Sequence, residues 1–306
     1  MAQTNGSSNR ADQIFRTGPE TLVAETQTIV SGTIVNYSKQ ILSQSQPDEN
    51  GFPLKWTVKG EIGQLQILKG AFMSGSLKFT RAEQSVMLSK DEASLYWEDI
   101  YGELQPEGQA VLFIDGKNQK LILKIIPSGK DEQDFITLVK DIVRIQALKQ
   151  PDERIKQWLQ YLDTASSDEG RKAALRSLVN APVEWGKLAP ELERLLSNSK
   201  NSSNIRVFGF GIAAFGVIEE KWSDNRPAVD FLCRIFLAEN DARMTMQYMQ
   251  HLKLILRYSD DESFRKVRQP IRRQILDCLR RREATGRLEP QLEEQFKQVW
   301  ATYPEQ

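Results

Sequence analysis

Apolar and polar positions alternate along the first part of this chain and recur every three to four residues along the rest, so strands are predicted first and helices afterwards. From residue 25 to about 128 the apolar positions have period two or form short β-branched runs. TQTIVSGTIVNYS, with Ile29, Gly32, Ile34 and Tyr37, predicts one long, bulged strand. SQSQPDENGFP (43–53) gathers Pro, Asp, Asn and Gly into a turn-forming loop. LKWTVKGEIGQLQILKG predicts a second strand carrying Trp56, Val58, Ile62, Leu65 and Ile67, with Gly60 and Gly63 marking bulges or bends. SGSLKFTR, GQAVLFID and KLILKIIP predict three more, the last two joined by a hairpin turn at Gly116-Lys117-Asn118. A short helix is expected around residues 91–101.

After residue 129 the period becomes that of a helix. DEQDFITLVKDIVRIQALK sets Phe135, Leu138, Val139, Ile142 and Ile145 along one face. Pro151 opens a further helix bearing Ile155, Trp158, Leu159 and Leu162. SSDEGRKAALRSLVN begins with Ser and Asp as caps. WGKLAPELERLLSNS, RPAVDFLCRIFLAEN and NDARMTMQYMQHLKLILRY continue the series. SDDE (259–262) has the form of a capping box, and Pro270 and Pro290 are expected in the first turns of the last two helices. Short helices joined by polar turns predict an α-solenoid or irregular helical array.

A length of 306 residues, at roughly 150 residues per domain, suggests two domains. The polar, Gly- and Ser-rich residues 1–21 are expected to form a flexible tail. The β domain is placed at 22–130 and the helical domain at 131–306. Five strands with a helix between the third and fourth is the order of an OB-type barrel. ILKG (67–70) and EGQAVLFI (107–114) resemble the netrin-like, TIMP-like barrel found in bacterial proteins. The inhibitory members of that family use an N-terminal cysteine and disulfides. No cysteine lies in this segment, so metalloprotease inhibition does not carry over. LAPELERLLSNS followed by NIRVFGFGIAAFG resembles one HEAT repeat unit. The expected fold is therefore multidomain, β then all-α: a five-stranded OB/netrin-like barrel and a C-terminal HEAT-like helical array.

NIRVFGFGIAAFG (204–216) also raises the question of a phosphate-binding loop. Its glycines have the wrong spacing for a dinucleotide fingerprint, and no Lys-Ser/Thr follows. As a helix it aligns Ile205, Phe208, Ile212 and Phe215 on one face, with Gly209, Ala213 and Gly216 as an adjacent small stripe. Glycine within a helix costs about 0.5–1 kcal/mol relative to alanine, which close approach of a neighbouring helix offsets. A buried helix is the expectation.

Composition narrows the chemistry. Lys+Arg and Asp+Glu are each 41, and residues 26–130 hold 11 of each, a difference of zero, so nucleic acid is not the expected partner. No apolar run reaches the ~18 residues of a membrane-spanning helix, and the start has no apolar signal-peptide core. The netrin-like resemblance implies an exported protein if a native signal peptide was trimmed; otherwise the chain is cytoplasmic. Cys233 and Cys278, the two cysteines, are expected as small buried hydrophobes. The single histidine, His251, has neither a second histidine nor a cysteine cluster for a metal site, and no Gly-x-Ser-x-Gly elbow for a triad. Glu98, Asp99 and Glu103, near Trp97 and Tyr101, are read as water-facing rather than catalytic. No catalytic residue, metal or cofactor is predicted.

The largest charge asymmetry lies at 267–287. Arg268, Arg272, Arg273, Arg280, Arg281, Arg282 and Arg287 stand there against Asp277 and Glu283. Ile271, Ile275, Cys278 and Leu279 form the apolar face, which puts the arginines opposite. Such a face suits an acidic protein, RNA or anionic lipid, or is simply solvated. The expected function is a non-enzymatic interaction or scaffold protein that binds another protein through its helical surface. Arg268, Arg272, Arg273, Arg280, Arg281 and Arg282 are the candidate contacts. The alternative is a binding module for a ligand or anionic polymer, through the barrel cleft or the arginine-rich helix.

Overall fold

Among the described residues, five antiparallel strands occupy the period-two part of the chain: β1 (Thr28–Ile41), β2 (Lys55–Lys69), β3 (Ser76–Gln84), β4 (Gln109–Ile114) and β5 (Ile122–Ser128), in the sheet order β3-β2-β1-β4-β5. This computed structural model describes residues 18–41, 55–72, 75–84, 107–114, 122–128, 132–198, 200–259, 265–285 and 289–303. The expected helix near 91–101, the Gly116-Lys117-Asn118 turn, the 43–53 loop, most of the SDDE box and Glu98, Asp99, Glu103 and Arg287 lie outside them. So do residues 1–17 of the expected tail.

The long first strand is bulged, as its spacing predicted. Its register against β2 shifts between Ile29/Val30, Ser31/Thr33 and Ile34/Asn36. Gly63 sits at one of these irregularities, and the next residue, Gln64, has φ 52, a left-handed conformation that a bulge imposes. No register shift falls at Gly60, which pairs regularly with Tyr37 and Phe79. Val30, Ile34, Ile62, Ala110, Leu112 and Ile114 form the core on one face of the sheet. The alternate residues Val111 and Phe113 are also fully buried, so β4 is covered on both faces.

Among the described residues, two helices pack with this sheet. The first, α1 (Pro19–Glu25), begins within the stretch expected as tail, with Pro19 in its first turn and Val23 buried. At seven residues it is too short for periodicity to reveal. The second, α2 (Glu132–Gln146), packs on α1, β2 and β5 through its predicted apolar face, of which Leu138, Val139, Ile142 and Ile145 are buried. The Gln146 side-chain amide donates to the Glu20 carbonyl at 2.8 Å, and Lys69 Nζ donates to the Val23 carbonyl. The compact units consequently divide at Lys149/Gln150 rather than at 130/131, because α2 buries its face on the sheet.

The second unit is helical: α3 (Pro151–Thr164), α4 (Asp168–Asn180), α5 (Trp185–Ser197), α6 (Ser203–Ile218), α7 (Arg226–Ala238), α8 (Ala242–Ser259), α9 (Arg265–Ala284) and α10 (Pro290–Thr302). Alternate helices touch, α4 to α6 to α8 to α10 and α5 to α7 to α9, and successive helices cross between the two rows. The cap predicted at the start of α4 is formed, where Ser167 Oγ accepts from the Gly170 N–H, and α6 has a cap of the same kind, where Ser202 Oγ accepts from the Ile205 N–H. Pro151 and Pro290 open α3 and α10. Pro270 does not open a helix. It lies inside α9, with Arg265–Gln269 already helical before it, at the expense of one backbone hydrogen bond.

Helix α6 is the stretch with three glycines, and it is the centre of this unit. Every residue from Phe208 to Ile218 is buried, so the helix has no solvated face, and α4, α5, α7 and α8 surround it. A Cβ at Gly209 would stand 2.9 Å from Leu195 Cδ2 and 3.3 Å from Leu196 Cδ2, the close helix approach that was expected. At Gly216 the neighbour is different. A Cβ there would fall 2.3 Å from Cη2 of Trp222, a residue of the turn after α6. Trp222 is held by its indole N–H to the Val183 carbonyl at 3.2 Å and by Trp185, with ring centroids 4.7 Å apart.

Candidate interaction face of the helical unit

The arginine-rich stretch folds as α9, with Ile271, Ile275, Cys278 and Leu279 buried as its spacing requires. Its arginines do not share one outward face. Arg282 turns inward over the end of α7, donating to the Leu237 carbonyl at 3.1 Å and the Glu239 carbonyl at 2.7 Å. Carbonyls at a helix end have no partner within their own helix, and the guanidinium supplies one. Arg282 also lies over the Phe236 ring, 5.9 Å from its centroid. Arg272 and Arg280 lean towards α10, over Tyr303 at 5.5 Å and Trp300 at 5.7 Å. The side chain of Arg268 is outside the described residues. Of the six arginines predicted as contacts, Arg273 and Arg281 are the two described as exposed.

Arg273 and Arg281 are brought together with α7. A hollow of about 430 Å³ is lined by Arg226, Asp230, Gln269, Pro270, Arg273, Gln274 and Asp277. A second, of about 510 Å³, is lined by Asp230, Cys233, Arg234, Leu237, Ala238 and Arg281. Asp230 borders both, so the two hollows lie end to end along the groove between α7 and α9. The α7 side was missed from sequence, although its signal is there. Arg226-x-x-x-Asp230-x-x-x-Arg234 has the same form as Arg273-x-x-x-Asp277-x-x-x-Arg281, and a four-residue step keeps each trio on one helical stripe.

The groove's charges are mostly compensated. Arg226 grips Asp224 with three side-chain hydrogen bonds of 2.7–3.1 Å, which hold that carboxyl at about 2. The side-chain hydrogen bond from Arg234 likewise lowers Glu193, and the pair is bidentate. Asp230 accepts from the Gln274 amide, and Asp277 pairs with Arg280 at 3.1 Å. Among the described residues, Arg273 and Arg281 have no ion-pair partner. Arg273 and Arg281 therefore stand without an ion pair, one at each end of the α9 stripe, while Asp230, bonded to a neutral amide, keeps its negative charge between them.

Of the groups considered for chemistry, the two cysteines are buried and the histidine is half-buried. Cys233 and Cys278 are buried, free thiols on facing helices, with the Cys278 thiol 3.8 Å from the Cys233 carbonyl. The neighbouring thiol and burial both push Cys233 up, which keeps it protonated and a poor nucleophile. His251 sits with its ring centroid 6.1 Å from that of Phe210, and burial pushes it down to about 4. Among the described residues no three His, Cys, Asp or Glu side chains gather to hold a metal ion, and no helix is long and apolar enough to cross a membrane. In comparisons with known proteins, the chain matches no family model, no curated protein and no solved structure.

Proposed function

We propose that this chain is a non-enzymatic interaction or scaffold protein, and that the outer surface of its helical unit binds another protein. The observation that carries this reading is the α7/α9 groove, where two exposed arginines stand without an ion pair among the described residues on a two-row helical array. Arrays of stacked helices suit such a role because each helix pair adds surface without changing the core beside it. Within this reading the helical rows are a HEAT-like solenoid, and α5 with α6 is the unit that resembles the repeat. The sheet is an OB/netrin-like barrel, which would close by pairing β3 with β5, the two edges of the described order.

The test is affinity capture with the full chain, followed by reconstitution of the captured complex from purified components. A stoichiometric complex that forms with the Gln150–Gln306 unit supports the reading. Turnover of a generic hydrolase or nucleotide substrate by the pure chain, lost on changing one polar residue, overturns it.

A further inference from the structure

We infer that the α7/α9 groove docks an extended acidic segment of a protein partner, with two carboxylates about four residues apart and an apolar side chain next to the carboxylate that meets Arg281. This rests on the interaction reading above and assigns it a site and a chemistry. Arg273 and Arg281 are eight positions apart on one stripe of α9, or about 12 Å along the helix axis at 1.5 Å per residue. An extended chain covers that distance in about four residues. A guanidinium receives a carboxylate through paired N–H donors, and both arginines are exposed and without an ion pair among the described residues. Of the nearby acids, Asp277 pairs with Arg280 and Glu193 with Arg234, and Asp230 accepts from the Gln274 amide.

The residues beside and between the arginines shape the rest of the occupant. Leu237 and Ala238 line the hollow beside Arg281, a seat for one apolar side chain. Asp230 and Asp277 stand between the two cations, where they repel a continuous run of phosphates. They have spare acceptor capacity for the backbone N–H groups of a peptide. A peptide with separated charges fits that alternation, and a nucleic-acid strand or anionic membrane does not.

A library of short random peptides, selected on the immobilised full chain and measured afterwards by fluorescence anisotropy, tests this. The expected result is enrichment of sequences with two Asp or Glu about four apart and an apolar residue next to one of them. Their binding should weaken about tenfold or more in Arg273→Glu/Arg281→Glu, and less in Arg273→Gln/Arg281→Gln. Arg243→Glu, an exposed charge change on α8, should leave binding within about twofold, since rim charges outside the groove steer weakly. Both groove variants should keep the parent's circular dichroism and melting midpoint. No acidic enrichment overturns the proposal. So does enrichment indifferent to Arg273 and Arg281, or tighter groove-dependent binding of oligo-dT or phosphatidylserine vesicles than of any selected peptide. A captured complex that survives Arg273→Glu/Arg281→Glu leaves the interaction reading standing and removes only this groove from it.

Discussion

Gly216 and Gly209 occupy the same small stripe of α6, yet their neighbours give different costs of substitution. A methyl at Gly216 meets the Trp222 indole, a rigid ring pinned by its hydrogen bond to Val183 and by Trp185. At Gly209 it meets the flexible ends of Leu195 and Leu196, which rotate to make room. Gly216→Ala should therefore cost about 1–3 kcal/mol in denaturant unfolding, and Gly209→Ala less than about 1 kcal/mol; equal costs would show that the indole yields as easily as a leucine. His251 provides a second prediction at this scale. Its folded value of about 4 lies below the ordinary 6.5, so its neutral form stabilises the fold fully above pH 6.5. That contribution is lost as pH falls from 6.5 towards 4 and is on the order of 2 kcal/mol, allowing for its partial exposure. Thermal melts across that window should fall less steeply for His251→Gln than for the parent. The glycine spacing showed that α6 would be buried, but the identity of the residue over Gly216 depends on how the turn after α6 folds back. No period in the sequence carries that.

At the scale of an element, α9 shows which part of a charged helix can be read and which cannot. Its apolar positions Ile271, Ile275, Cys278 and Leu279 follow from the helical period, and all four are buried. The fate of its arginines depends on other helices. Arg282 is bound by carbonyls more than forty positions earlier, Arg280 lies over Trp300, and Arg273 and Arg281 face a groove shared with α7. Neighbours in sequence thus have opposite roles. Arg282→Ala strips the α7 end of its donors and should destabilise the unit by about 1–3 kcal/mol. Arg281→Ala, exposed and without an ion pair among the described residues, should stay within about 0.5 kcal/mol. Chemical unfolding of the two single variants separates them, and equal losses would show that Arg282 does not cap α7. The strands were legible for a related reason. β-branched alternation survives whatever packs on it, and even the bulges of β1 were foreshadowed by Gly63.

For the whole molecule, the division into units turns on what α2 buries. Its helical period assigned it by sequence to the α domain, since periodicity reports the kind of element and not the surface it lies on. Leu138, Val139, Ile142 and Ile145 are buried, and the helix packs on β2, β5 and α1. Removing four such side chains from contact exposes apolar surface worth about 1.5–3 kcal/mol each, a sum comparable with the whole stability of a small domain. A fragment of residues 17–149 should therefore fold cooperatively, whereas one of residues 17–130, cut at the change of period, should not. The complementary fragment Gln150–Gln306 should fold without α2, because α3 to α10 build their core around α6. Dispersed amide spectra and a cooperative melt from 17–149 and from 150–306, with collapse of both signals in 17–130, is the expected outcome. A folded 17–130 fragment would return α2 to the helical array and place the boundary where the apolar period changes.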